Sequence, residues 1–314
     1  MLTYSVRRVA YSIPVLLLAS FLLFAFVRTT FDPTARLAAS RDPQVRIRER
    51  HRLGLDDPLV VQYGRWLKGA SHGDFGKSEI TRENVTSAIK RSMGNTLQLI
   101  LIGAAVSCVI ALGVGVYSAV RQYSALDYTF TGLSYIGIAM PPFWFGLIAI
   151  QFFAVQHHWL LSLGLHTGEG HGVNLDYLKH LPLPIATLCV QIVASWSRYE
   201  RASMLDALNA DYVRTAKAKG LPARTVVLKH ALRNALIPFV TVVALDFGAL
   251  FGGLIITESI FSIGGMGRLF FSALQQGDAY ILEAWMLVAA VIIIFFNLVA
   301  DLLYGVLDPR IRLS

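Results

Sequence analysis

Along the chain, long apolar runs alternate with short charged connections. Residues 9–27 carry no charged side chain, with Arg7 and Arg8 before them and Arg28 after. At about 1.5 Å per residue a helix of that length crosses a hydrocarbon core of about 30 Å. Further apolar runs lie at about 97–120, 130–155, 181–197, 235–257 and 284–307. The pattern predicts an all-α polytopic membrane protein of about six transmembrane helices, with both termini on one side. The first run exceeds the roughly 7–15 apolar residues of a signal-peptide core, and no clear A-x-A site follows it, so it reads as a retained helix.

Lysine and arginine in the short connections set the orientation. Arg7 and Arg8 precede the first run, Arg121 lies between the second and third, and Arg310 and Arg312 follow the last. The fourth-to-fifth connection is richest, with Arg198, Arg201, Arg214, Lys217, Lys219, Arg224, Lys229 and Arg233. Opposite them stand only Lys179 and Arg268 in the two remaining short connections. The expectation is a cytoplasmic N-terminal tail and first helix over 1–30, an extracytoplasmic segment over 31–94 and a five-helix core over 95–309. A cytoplasmic loop at about 198–234 and a cytoplasmic tail at 310–314 complete the division. The segment 31–94 is rich in arginine, yet long loops translocate largely regardless of charge, and its mixed signs suit a small folded external element.

Composition agrees with a bilayer solvent: 55% of residues are hydrophobic, 15% are charged and the mean hydropathy is +0.55. A net charge of +8 and a pI near 9.6 raise nucleic acid as a partner. The basic residues sit mostly between apolar runs, so they mark membrane orientation and no nucleic acid is expected. Cys108 and Cys189 each lie inside an apolar run, which supports neither a disulfide framework nor a zinc cluster.

Several motifs lose their chemical reading on spacing. Gly73-Asp-Phe-Gly-Lys-Ser78 would need glycine at Ser71 to be a phosphate loop, and no apolar strand leads into it. Gly264-Gly-Met-Gly267 lacks the dinucleotide spacing and reads as a tight turn between helices. His157, His158, His166, His171 and His180 share one external connection, but no fixed spacing places them on one face, and no metal or other cofactor is expected.

Asp246 falls near the middle of the fifth run, where a carboxylate is costly. It is the translocation-path candidate; the alternative is a structural hydrogen bond to a neighbouring helix or a protonated acid. Gly248 and Gly252 follow as G-x-x-x-G and predict close helix packing. Asp301 lies near the end of the sixth run, within reach of the surface for snorkelling or a salt bridge.

Between the fourth and fifth runs stands Asp211-Tyr-Val-Arg-Thr-Ala-Lys-Ala-Lys-Gly-Leu-Pro222, good helix formers stopped by glycine and restarted by proline. Gly220 suits the left-handed position after a helix, and Lys217 and Lys219 favour the negative end of its dipole. Pro222 suits the first turn of a next helix carrying Val226, Val227, His230 and Ala231 on one side. A short, rigid basic helix of this kind is a docking element; a lipid-surface anchor would need more bulky apolar surface.

Arg214-Thr-Ala-Lys-Ala-Lys-Gly220 together with His230-Ala-Leu-Arg-Asn234 resembles the EAA loop of ABC importer permeases, in the dipeptide, oligopeptide and nickel branch. Arg214 and Thr215 depart from the broad E-A-A pattern and Arg233 replaces its proline, while Ala216 and Gly220 are kept; the departures match the peptide branch. The resemblance continues through Leu53-Gly-Leu-Asp-Asp-Pro58, Gly73-Asp-Phe-Gly76, Pro141-Pro-Phe-Trp-Phe-Gly146, Glu258-Ser-Ile-Phe261, Gly265-Met-Gly-Arg268 and Leu307-Asp-Pro-Arg-Ile-Arg312. It implies the B-type member of a permease pair with a type I importer fold. It also implies docking on two ATP-binding subunits through Asp211, Tyr212, Val213, Arg214, Thr215, Ala216, Lys217, Ala218, Lys219 and Gly220, with His230, Arg233 and Asn234 beside them. A second, similar permease forming a heterodimer, an extracytoplasmic substrate-binding protein and di- or oligopeptide cargo complete the picture, with nickel, heme or another small solute as the alternative cargo. Asp246 stands where the family carries a neutral polar residue, often glutamine, and that departure is expected to report on cargo.

Two other classes are weighed. A proton-coupled secondary transporter would use Asp246 as its carrier, but no convincing internal repeat is present. A membrane hydrolase would need a converging nucleophile, base or metal set, which the sequence does not display.

Overall fold

The computed structural model describes residues 2–34, 43–168 and 172–307; side chains are described within these apart from residues 2–6, 43, 252–253 and 304–307. Four helices are long and apolar enough to cross a membrane, and a bent pair brings the number to five. They are α1 (Leu2–Thr30), α4 (Val85–Val120), the segment leading into α11 (Leu232–Ile260), and α13 (Ala279–Leu307). The bent pair is α5 (Ala125–Ala139) with α6 (Pro142–Ala149), which runs on as a π-helix over Ile150–Gln156.

That pair corrects the expectation of one continuous third span over 130–155: the two halves meet at 101°. The reason is covalent. Pro142 supplies no N–H, and Pro141 holds extended backbone at φ −63° and ψ 131°, so the helix stops at Met140 and a new one starts.

The fourth expected span is α8 (Pro182–Asn209), which is not among the four and carries Arg198, Glu200 and Arg201. It tolerates them because it packs against α4, α5, α6 and α11, so little of it needs to suit lipid. α4 and α8 run side by side in the same direction, since Ser107 Oγ meets Cys189 Sγ at 3.1 Å and Gly115 meets Glu200 further along. Gly103, Ser107, Ala111, Gly115 and Ala119 recur every fourth residue and form a buried ridge of small side chains. At Gly115 a Cβ would stand 2.7 Å from Glu200 Cβ, so the close approach requires glycine there.

α1 lies at the edge against α13, and ion pairs close both ends of that contact. Arg28 Nε lies 2.6 Å from Glu283 Oε1 and Arg8 Nη2 lies 2.6 Å from Asp301 Oδ2, the latter in line with the salt-bridge reading of Asp301. The segment after α1 holds α2 (Pro43–Leu53) and α3 (Leu59–Ser71). Tyr63 and Trp66 of α3 pack on Phe21 and Phe24 of α1. α4 begins at Val85, with the Asn84 side chain accepting from the Thr86 amide as its cap, so this helix starts within the expected segment 31–94.

Two short helices complete each end. α7 (Leu175–His180) precedes α8, and α12 (Met266–Gln276) fills the connection between α11 and α13, where the sequence suggested only a turn. α9 (Asp211–Ala218) and α10 (Ala223–Thr225) lie at the other end, and from α10 the chain continues through a π-helical segment over Val226–Ala231 into α11.

Candidate coupling site

α9 is anchored by two residues and exposes the rest. Val213 and Ala216, three apart, are buried among Met204 and Ala207 of α8 and Val226 and Ala231 of the following segment. Asp211, Tyr212, Arg214, Thr215, Lys217, Ala218 and Lys219 are exposed. The projecting face therefore carries three cations and one aromatic ring, opposed by the single carboxylate of Asp211.

The turn after α9 is built on backbone geometry. Gly220 has φ +73°, and its N–H donates to the Lys217 carbonyl at 3.0 Å. No atom lies within 4 Å of where its Cβ would be, so the left-handed conformation and not lack of room requires glycine. Pro222 caps the next helix from outside it, with ψ 142°, rather than lying in its first turn. His230 is half-buried and its carbonyl accepts from Asn234 Nδ2 at 2.9 Å, while Arg233 is exposed. The π-helical segment that carries His230 packs directly on α9, with Val226 and Ala231 in the cluster around Val213 and Ala216. Behind it, Arg201 of α8 donates through Nε and Nη2 to both oxygens of the buried Asp127, at 2.9 and 3.0 Å. This bidentate pair ties the start of α5 to α8 and uses one of the arginines counted as an orientation charge.

Asp246 is half-buried, and its Oδ2 accepts from the indole of the fully buried Trp196 at 2.6 Å. Gly248 packs on α13, where a Cβ would lie 3.4 Å from Ile293 Cα. The surroundings of Gly252, the tail 310–314 and His171 lie outside the described residues. Of the other histidines in that connection, His157 packs tilted on Phe152, while His166, stacked on Tyr177, and His180, whose Nδ1 lies 2.9 Å from the Asp176 carbonyl, both approach the Asp176 carboxylate, at 3.8 and 3.7 Å. The Thr167 hydroxyl and amide hold the Asp176 carboxyl below its ordinary range. Among the described residues no three His, Cys, Asp or Glu side chains gather as metal ligands would. In the glycine-rich stretch, Ser78 Oγ donates to Asp278 Oδ2 at 2.5 Å and accepts from the Ile80 and Thr81 amides, which makes it a structural turn.

At the opposite end the structure assembles a cluster that sequence reading missed. Glu258 of α11 and Thr96 of α4 are both fully buried. Thr96 Oγ1 donates to Glu258 Oε1 at 2.5 Å and accepts from the Met266 amide at 2.7 Å, while the Arg268 amide donates to Glu258 Oε2 at 3.1 Å. Gly267 lies against the α11 backbone, where a Cβ would stand 2.5 Å from Ile255 Cα. The available signal was an acid at the end of an apolar run followed shortly by a glycine-rich turn.

This arrangement of broken and continuous helices around a projecting basic loop matches known proteins at both levels compared. The model for the inner membrane component of binding-protein-dependent transport systems matches residues 111–313, and its N-terminal companion matches residues 1–100. The chain belongs to this family of ABC importer permeases. The oligopeptide transport system permease protein AppB of Bacillus subtilis (strain 168) is 38% identical over 99% of this chain and 100% of its own length. The glutathione transport system permease protein GsiC of Escherichia coli (strain K12) is 36% identical over 99% of each. Among solved structures, the MetNI methionine ABC transporter in inward-facing conformations aligns with TM-score 0.58 at 18% identity, covering 70% of this chain and 96% of that one. An amino acid ABC transporter aligns with TM-score 0.51 at 12% identity, over 72% and 95%. These two show the fold, that of a type I importer permease.

Proposed function

We propose that this permease carries di- or oligopeptides inward across the cell membrane, driven by ATP hydrolysis on partner subunits. The observation that carries the coupling is α9 itself: a helix pinned by Val213 and Ala216 that presents Tyr212, Arg214, Lys217 and Lys219 to whatever docks on it. The full-length similarity to a permease named for oligopeptides supports the cargo. The chain is the non-catalytic member of its complex. Two ATP-binding subunits receive α9, a second similar permease completes the pathway, and an extracytoplasmic binding protein delivers cargo. Both termini and α9 face the cytoplasm, a reading that the distribution of lysine and arginine supports. Closure of the ATPases shifts α9 as a rigid body and biases the spanning helices between inward-open and outward-open states. Asp246 contributes to the pathway through the oxygen that Trp196 does not occupy.

The test is co-expression with the neighbouring genes, purification in detergent, and ATP hydrolysis with and without short peptides and the binding protein. Co-purifying ATPases stimulated by peptide-loaded binding protein are expected. A chain that purifies alone and carries peptide under a proton gradient would overturn the reading. Because relatives are named for glutathione, that tripeptide is the second cargo to assay.

A further inference from the structure

α12 begins without a cap of its own. Gly265 at its N-cap offers no side chain, and no side-chain cap hydrogen bond is made from that position. A helix start leaves about four amide donors unpaired, and these need acceptors when buried. Here two of them find acceptors on other helices: the Met266 amide on Thr96 of α4, and the Arg268 amide on Glu258 of α11. Thr96 and Glu258 are in turn bonded to each other at 2.5 Å. The same turn is held twice more, since Asn95 Nδ2 donates to the Gly264 carbonyl at 2.9 Å and Trp285 Nε1 of α13 donates to the Met266 carbonyl at 2.8 Å.

We infer that Thr96 and Glu258 are positioning residues that seat α12 only while α4 and α11 are together, making α12 a gate helix at the end opposite α9. The inference rests on the importer reading, which supplies the two states between which α4 and α11 move. Separation of α4 from α11 divides the acceptors: Thr96 leaves with one helix and Glu258 stays with the other. No arrangement of α12 then satisfies both amides, so α12 tilts or its first turn unwinds. Arg268 takes part through its main chain, its guanidinium Nη1 donates to the Ser262 carbonyl at 2.5 Å, and among the described residues no ion pair reaches Glu258. The pair therefore depends on hydrogen-bond geometry and not on an ion pair, which suits a contact that opens and closes.

The experiment uses the assembled complex in nanodiscs and proteoliposomes, comparing wild type with Thr96→Val, Thr96→Ser and Glu258→Gln. Spin labels at positions 90 and 275, on exposed residues of α4 and α12, report their separation with Cys108 and Cys189 replaced. Thr96→Val keeps the side-chain shape and removes donor and acceptor together. It is expected to broaden the label distance distribution, cut labelled-peptide uptake at least tenfold and leave basal ATP hydrolysis within twofold of wild type. Thr96→Ser restores the hydroxyl and is expected to recover uptake to within twofold. Glu258→Gln, which accepts at one oxygen only, is expected to fall between them. An unchanged distance and wild-type uptake in Thr96→Val would overturn the inference, and so would a Thr96→Ser variant as impaired as Thr96→Val. Absence of binding-protein-stimulated hydrolysis in the wild type would instead sink the importer reading, while the label distances still test the seating of α12.

Discussion

The two ends of the molecule solve the same problem, holding a short helix beside the bundle, in opposite ways. α9 is held by contacts close in sequence: two small apolar residues three apart, a glycine with positive φ, and packing on the segments immediately before and after it. α12 is held by contacts far apart, since Thr96 and Glu258 are 162 positions from each other. A locally held helix moves as one piece when pushed. A helix whose amides are shared between two distant helices responds to their separation. The difference suits the first to receive a force and the second to respond to it.

The sharpest break in this comparison is Gly267→Val. Its Cβ would stand 2.5 Å from backbone that cannot yield, and the expected cost exceeds about 3 kcal/mol, read as loss of folded complex or a large drop in Tm. Next comes Val213→Asp, which puts a carboxylate into an apolar cluster at about 3 kcal/mol. Because α9 packs mainly on the segments before and after it, the expected result is loss of ATPase subunits from the purified complex with the spanning helices intact by circular dichroism. Gly220→Pro removes the amide bonded to Lys217 and forbids the positive φ, so poor assembly or uncoupled hydrolysis is expected; normal uptake by that variant would sink the role of the turn. Gly220→Ala is milder, about 1–2 kcal/mol of local strain in open space, and should reduce stimulated hydrolysis while leaving Tm nearly unchanged. The smallest effect on stability belongs to Asp246→Asn, which keeps an acceptor for Trp196 and should cost less than about 1 kcal/mol. Its informative readout is uptake of cationic against neutral peptides, which should converge if the Asp246 charge faces the pathway.

α9 was legible because its signals are local. Helix formers, then Gly220 and Pro222, delimit it by rules that act within a few residues. The spans were legible because a bilayer demands continuous apolar surface, and only α8 lacked the full signal, since burial among helices relaxed that demand. The prolines of the third run were visible, yet that run's apolarity carried the reading of one helix until the 101° bend showed otherwise. α12 escaped notice because it is short and carries Arg268, which was counted as a loop charge. Glu258 escaped because an acid at the end of an apolar run normally marks the water boundary.

By itself, then, the sequence determined that the chain is a polytopic helical membrane protein, where its spans lie, and which connection carries a rigid basic helix. Hydropathy and backbone conformational preference act residue by residue and need no partner. The tertiary structure alone decided that Asp246 bonds to Trp196, that Gly103 to Ala119 form the ridge for α8, and that α12 takes its caps from α4 and α11. Hydrogen bonding of a buried polar group depends on which helix lies opposite it, and that is fixed only when the helices pack.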